Sequence, residues 1–571
     1  MTSTYDTLQS RLQSAFDTLE AGADPALRTS ERSDYQANGV MALAKRLGRA
    51  PRDVAEEIVG RAELSDVATV EVAGPGFLNL TLRPEFLGGQ LTHLRGDDRV
   101  GIEIVAKAKT VVIDYSSPNV AKEMHVGNLR STVIGDALAR MYRFAGHHVI
   151  ARNHVGDWGT PFAMLIEHLL DSERDDGANY SIGDLDGFYK EARTKFDADD
   201  SFKERSRARV VALQSGDPET LRLWRVVVDQ SIAYLDLVYQ DLGITLTVDD
   251  VVGESFYDNM LNGVVEDLTK AGLIVESGGA LCVFPPGFTN RDGEALPLIV
   301  RKSDEGFGYA ASDLAAVRDR VDNLHADEML YVVGVPQAQH FEMVFAVARM
   351  AGWLPDRVRC EHVTFGNVLG PDRKMFKSRS GDTVKLAGLL NEAIERADVA
   401  LKERNTDLDE MARTQLAVEI ARASIKYADL STDRHHDYIF DLDRMIAFEG
   451  DTGPYLQYAH ARLRSIFRRL GAAWDPPSVS FSLDTPQERH LALGLLAFPE
   501  AFEASLASLQ PHRLCVYLFD LAQRLTAFYD ACPVLTSEGA LRDQRLALCD
   551  LTARTLSTGL SVLGIDAPEQ M

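Results

Sequence analysis

Apolar residues recur along the chain with two different periods, and the changes of period predict its elements. Thr110 to Tyr115 is a short β-branched run, the pattern of a buried strand. Ser116-Ser117-Pro118-Asn119 interrupts it with turn-forming residues. Leu129, Val133, Ile134, Ala137, Leu138 and Met141 then fall at helical spacing, Gly146 supplies a C-terminal stop, and His148 to Ile150 opens a second apolar run. This is a strand–helix–strand crossover, the unit that builds parallel sheets. Met329 to Val335 and His362 to Leu369 read as further buried strands and predict the second half of a doubly wound sheet. Elsewhere the pattern is different. Residues 34–59 are helical, with Pro51 opening a second helix, and residues 67–83 alternate like a hairpin broken at Gly74-Pro75-Gly76. From about Glu167 to Gln240 long helices carry charged stretches, which predicts a solvated insertion without chemistry of its own. Residues 385–450 are again helical, and from Gly453 to Met571 the pattern is an all-helical bundle.

With 571 residues, the chain is too long for one core. The expected division is a small α+β domain over 1–100, a Rossmann-like α/β domain over 105–385 with a helical insertion at about 165–245, a helical connector over 386–452, and an all-α domain over 453–571. Composition, 45% hydrophobic and 25% charged, is that of a soluble globular protein, and no apolar run near membrane-span length is expected. Residues 1–22 read as an acidic helix, not as a secretory signal. Five scattered cysteines without a CxxC or a Cys/His cluster speak against a zinc site or a disulfide framework and suit a reducing cytoplasm. The net charge of −25 argues against nucleic acid, because phosphate contacts need lysine and arginine. Basic residues need cluster on only one face, however. Two clusters exist: the loop from Gly370 to Val384, and Arg462, Arg464, Arg468 and Arg469 beside Tyr455, Tyr458 and His460. Rings interleaved with cations suit an RNA loop, rings for bases and charge for phosphates.

Candidate chemistry concentrates beyond the first strand. His125, Gly127 and Asn128 fall at the start of the crossover helix, where unpaired backbone N–H groups favour a phosphate. His125-Val126-Gly127-Asn128 resembles the HIGH signature of class I aminoacyl-tRNA synthetases. The longer string from Ser116 to Arg140, with SSPN, Lys122, LRST and IGDALAR, resembles the arginyl-tRNA synthetases specifically. The run Asn153-His154-Val155-Gly156-Asp157-Trp158-Gly159-Thr160 is similar to a further signature of that family, and Lys374-Met375-Phe376-Lys377-Ser378-Arg379 to its degenerate KMSKS loop, Phe376 and Arg379 standing for the two lysines. Asn128 replaces the usual second histidine and carries no charge, so polarisation of the phosphates there is weaker unless a metal or lysine compensates.

The resemblance implies an ATP-dependent arginine–tRNA ligase with tRNA(Arg), L-arginine, ATP and substrate-borne Mg²⁺ as partners, cytoplasmic, without membrane association, expected to be monomeric. It implies that His125, Gly127, Asn128, Asp157, His340, Lys377, Ser378 and Arg379 hold ATP, with His125, Asn128, Lys122, Lys377 and Arg379 acting on the phosphates and Lys122 taking over part of the missing loop lysine's duty. His154, with Asp157, is a candidate for ribose, phosphate or metal, and Trp158 for packing. A guanidinium needs carboxylates and flat walls. The matching positions are Asn119, Glu254, Tyr309, Asp313 and Gln337, with Glu254 and Asp313 on the guanidinium, Tyr309 and Gln337 alongside and Asn119 at the backbone end. The first hundred residues are similar to the family's N-terminal tRNA-binding extension, with Phe77 and Asn79 as base contacts (Phe77 reads equally well as core), and residues 453–571 resemble its anticodon-binding domain, with Tyr455 and Arg462 as contacts. Arg205, Arg207 and Arg209 read as a salt-bridged surface, with acceptor-stem contact as the alternative. Two rivals remain: another adenylate-forming enzyme, which would have no use for RNA-binding modules, and a noncatalytic RNA-binding paralogue, which Asn128 and the altered loop alone favour.

Overall fold

The computed structural model describes residues 3–30, 32–120, 122–176, 185–304, 306–374, 376, 384–404, 408–471, 474 and 478–571. They form two compact units, one of residues 105–446 with 562–565, the other of residues 1–104 with 447–561 and 566–571.

The first unit is organised on a five-stranded, all-parallel sheet. Its spatial order is Arg359–His362, Glu328–Tyr331, Thr110–Asp114, His148–Val155, Val251–Gly253. The chain runs outward from Thr110–Asp114 in one direction, then returns to its other side through Glu328–Tyr331. The gap between the carboxyl ends of these two strands is the topological switch point, where open α/β sheets bind ligands. The helix Val126–Phe144 packs closely on the first strand because Gly135 has no side chain: a Cβ there would lie 2.2 Å from Cβ of Tyr115. The insertion supplies helices Thr160–Asp176, Leu185–Ala198, Asp200–Gln214 and Pro218–Leu242. Arg205 pairs there with Asp171 and Glu167, and Arg209 with Glu167, so these cations are committed within the insertion.

In the second unit an antiparallel sheet (Leu27–Thr29, Tyr35–Ala37, Phe77–Leu82, Ala68–Ala73 in spatial order) packs with the C-terminal helices. The guanidinium of Arg489 donates to Asp34 and to the carbonyl of Leu82, joining the C-terminal bundle to the sheet. Glu488 and Arg545 form a buried pair at 2.7 Å.

Three elements depart from their predicted form. Tyr35–Ala37 is a strand, not the start of a helix: Tyr35 and Ala37 alternate inward and pair with Leu80 and Leu78. The strand expected over 329–335 ends at Tyr331 and gives way to a 3₁₀ turn at Val335–Gln337, where Pro336 cannot donate to a ladder. The strand expected over 362–369 lies earlier, at Arg359–His362; only Val368–Leu369 pairs again, with Tyr438–Ile439. One stretch, Pro486–Ser508, is long and apolar enough to cross a membrane, contrary to the expectation of none; half of it is buried within the protein, and it divides into helices Pro486–Leu496 and Phe498–Ser508.

Candidate active site

The switch point opens into a cavity of about 590 Å³. One wall is the turn after the first strand and the start of the following helix, from Ser116 and Asn119 to Gly127 and Asn128. The opposite wall carries Glu254, Tyr309, Asp313, Gln337 and His340. Gly127, Asn128 and His340 from the nucleotide candidates and Asn119, Glu254, Tyr309, Asp313 and Gln337 from the arginine candidates therefore line one cavity, while His125 is not among its lining residues.

The phosphate side is built by helix capping. His125 is the N-cap of Val126–Phe144: its Nδ1 accepts from Gly127 N at 3.0 Å, and its own N–H donates to Oδ1 of Asn128 at 3.1 Å. A Cβ on Gly127 would lie 2.8 Å from Cε1 of His125, so glycine is what lets the ring fold over the helix end. Burial, and then the charge of Lys122, hold the imidazole below its usual pKa. A neutral ring whose Nδ1 accepts carries its proton on Nε2, which is the donor remaining for a ligand. Asn128 has committed its oxygen to the cap, which leaves the NH₂ as the donor end of the amide. Its replacement of a histidine thus keeps a neutral donor at the helix terminus.

The segment after the basic loop ties into this cap. Val126 N donates to the Val384 carbonyl at 3.0 Å, Leu386 N to Met124 O at 2.9 Å, and Lys385 pairs with Glu123 at 2.9 Å. Phe376 stacks on Phe440 at 5.0 Å. Lys377, Ser378 and Arg379 lie outside the described residues. Lys122 does not line the cavity; its ammonium stands 4.4 Å over the ring of Tyr189, from the insertion.

On the opposite wall, Tyr309 and Asp313 occupy one side of the helix Tyr309–Asp322, four residues apart. Tyr309 is 76% exposed, a bare ring at the cavity mouth. Asp313 is hydrogen-bonded to Nε2 of His340 at 2.6 Å, and both residues line the cavity. Glu254 opens a 3₁₀ turn, Glu254–Tyr257. Burial first, then the charges of Asp157 and Asp313, push its carboxyl up to about 7. Asp157, expected at the nucleotide, is 3% exposed and does not line the cavity; its carboxylate is turned onto Ser255. His154 lines the cavity near Asp114, and Trp158 packs edge-on against Trp224.

Sequence reading missed several supports. Tyr239, from the insertion, donates to or accepts from Ser116 Oγ at 2.8 Å and accepts from Asn153 Nδ2 at 2.9 Å. Thr132 donates to that same serine oxygen at 2.8 Å. These bonds hold Ser116 and Ser117, two consecutive non-glycine residues at positive φ (68° and 43°). Such a conformation persists only where the surroundings enforce it. It aims the chain at Asn119, which bridges Gly156 across the cavity rim. The insertion therefore contributes to the site, contrary to the expectation of a bystander. Its only sequence signal was the long apolar stripe of Pro218–Leu242.

In the second unit, Phe77 and Asn79 lie half-buried on one face of their strand, with Leu78 and Leu80 in the core behind them. Asn79 accepts from Gln36 Nε2 at 2.7 Å, and Gln36 accepts from Arg28 at 3.2 Å, which adds two residues to that face. Tyr455, Tyr458, Arg462 and Tyr529 line a small groove in which the Arg462 guanidinium lies 4.0 Å over the Tyr529 ring. Three neighbouring residues are used internally: Arg464 pairs with Glu569, Arg468 donates to the Glu569 carbonyl, and His460 bonds the Pro568 carbonyl.

Comparison with known proteins agrees with this architecture along the whole chain. Residues 91–442 match the family model for the catalytic domain of class I (R) tRNA synthetases, residues 456–571 the DALR anticodon-binding domain, and residues 5–82 the arginyl-tRNA synthetase N-terminal domain. The arginine–tRNA ligase of Thermobifida fusca is 52% identical over 99% of this chain and 98% of its own length, and that of Streptomyces coelicolor 47% identical over the whole of both chains. Solved arginyl-tRNA synthetases from Plasmodium falciparum (TM-score 0.86, 28% identity, 100% of both chains) and Thermus thermophilus (TM-score 0.84, 27% identity, 99% of both) share its fold. A helix terminus prepared for phosphate, two carboxylates across from it and relatives matching end to end lead to one conclusion: the chain belongs to the arginyl-tRNA synthetases, class I ligases that use ATP to join arginine to tRNA.

Proposed function

We propose that the cavity binds arginine with its guanidinium on Glu254 and Asp313, Tyr309 and Gln337 beside it and Asn119 at its backbone end, while ATP phosphates lie across the helix terminus formed by His125, Gly127 and Asn128. The observation that carries this is the single cavity lined by both Asn128 and Glu254. The arginine carboxylate attacks the α-phosphorus of ATP, forming arginyl-adenylate and releasing pyrophosphate. A ribose hydroxyl at the tRNA 3′ end then attacks the carbonyl and expels AMP. Nε2–H of His125 and the Asn128 amide act as neutral donors where phosphate charge develops, with the helix N–H groups behind them. Lys122 reaches the phosphates on leaving Tyr189, and Lys377 and Arg379 complete the clamp. Mg²⁺ arrives on the triphosphate and shares its charge. Among the described residues no three-ligand His, Cys or carboxylate cluster offers it a resident site. Phe77, Asn79, Tyr455 and Arg462 contact tRNA by stacking and charge. The enzyme works as a cytoplasmic monomer.

Charging of purified tRNA(Arg) with labelled arginine tests this reading. Incorporation that requires ATP and Mg²⁺ and ignores lysine is expected; no incorporation at saturating substrates would refute it.

A further inference from the structure

We infer that Asp157 is a positioning residue for the arginine pocket, clamping the turn from which Glu254 projects and touching neither substrate itself. The inference rests on the reading of Glu254 as a guanidinium acceptor.

The strands His148–Val155 and Val251–Gly253 run in parallel with Val155 opposite Gly253, so both chains leave the sheet side by side at its carboxyl edge. Asp157 reaches from one to the other. Its Oδ1 accepts from Ser255 N at 2.9 Å and its Oδ2 from Ser255 Oγ at 2.6 Å. The carboxylate lies flat against the neighbouring backbone, and Gly253 makes that possible: a Cβ there would stand 2.0 Å from Oδ2 of Asp157. Glu254 sits between these two contacts, with the residue before it pressed against the carboxylate and the residue after it bonded to the same group. Its backbone has little freedom left, and its side chain is delivered into the cavity.

Asp157 is itself held. Its carbonyl accepts from the indole of Trp224 at 2.7 Å, and Trp224 meets Trp158 edge-on. With both carboxylate oxygens used by Ser255 and only 3% of the residue exposed, Asp157 has no face to offer a nucleotide. Its charge also stands behind Glu254, which favours a cation over a neutral side chain in front.

The test measures KM for arginine and for ATP separately, by aminoacylation with the full-length enzyme at saturating tRNA. Asp157→Ala is expected to raise the arginine KM by about 10-fold or more, the scale of a lost charge-assisted bond, with the ATP KM within about 2-fold. Ser255→Ala, which keeps the backbone bond, raises the arginine KM by about 3-fold. Asp157→Asn keeps an acceptor for Ser255 N and falls between them. Combining Asp157→Ala with Glu254→Gln gives an arginine KM no worse than Glu254→Gln alone, because the clamp acts through that side chain. An ATP KM that rises with the arginine KM, or effects that multiply in the double variant, would overturn the inference. If Asp157→Ala fails to fold, Asp157→Asn and Ser255→Ala carry the same split between the two constants. Glu254→Gln with an unchanged arginine KM defeats the guanidinium reading itself; Glu254→Gln impaired with Asp157→Ala unimpaired defeats only the clamp.

Discussion

Asp114 and Glu254 stand at the carboxyl edge of the same sheet and line the same cavity, yet among the described residues one pairs with a cation and the other does not. On the cavity floor, Asp114 receives the buried guanidinium of Arg320 at 2.5 Å and the hydroxyl of Ser117 at 2.7 Å. Burial raises its pKa, but Arg320, His154 and Ser117 together reverse that and leave the carboxyl below its ordinary value. On the wall, burial first and then the charges of Asp157 and Asp313 push Glu254 up to about 7. A charge satisfied within the fold belongs to the scaffold. A charge left wanting, in a cavity large enough for an amino acid, is what supports the proposed guanidinium site. Asp313 lies between these cases, with an imidazole as its partner.

The difference can be broken from either side. Arg320→Ala leaves Asp114 buried without its guanidinium partner, and is expected to cost about 3–5 kcal/mol of stability, read as a lower midpoint in urea unfolding. An unchanged midpoint would mean the floor is not a committed ion pair. Glu254→Gln removes a buried charge that has no cationic partner among the described residues, so the same midpoint should stay level or rise. The arginine KM should increase by about 10- to 100-fold, the range of a charge-assisted hydrogen bond, with the ATP KM unchanged. His340→Ala frees Asp313 from its orienting bond and should raise the arginine KM by about 2- to 5-fold, the worth of one ordinary hydrogen bond.

Much of this edge was legible in the chain. The strand Thr110–Asp114, the helix cap at His125 and the helical spacing of Tyr309 and Asp313 depend on neighbours a few residues away, which a local pattern records. What escaped depends on residues far apart. Tyr239 bonds Ser116 across 123 positions and Ser255 meets Asp157 across 98, and no periodicity marks either partner. The resemblance of residues 153–160 to a family signature points Asp157 at the nucleotide; the parallel pairing of Val155 with Gly253 and the bonds to Ser255 reveal that it faces a neighbouring segment. Likewise nothing local in residues 34–37 announces a strand, since Tyr35 and Ala37 become inward-facing only when Leu78 and Leu80 lie beside them. Half of the basic cluster from Arg462 to Arg469 proved to anchor the C-terminal tail, because charge spacing does not say where the acids will fold.

The claim that Glu254 waits for a guanidinium is tested most directly by proton release. With its carboxyl raised to about 7, Glu254 carries a proton in a good part of the free molecules near neutrality, and a bound guanidinium would drive that proton off. Arginine affinity should therefore strengthen as pH rises through about 7. Calorimetric titration of the full-length protein with arginine at pH 7, in buffers of different ionisation enthalpy, should report a fraction of one proton released per arginine bound and none with Glu254→Gln. Binding without proton release, or release that persists in Glu254→Gln, would contradict the account.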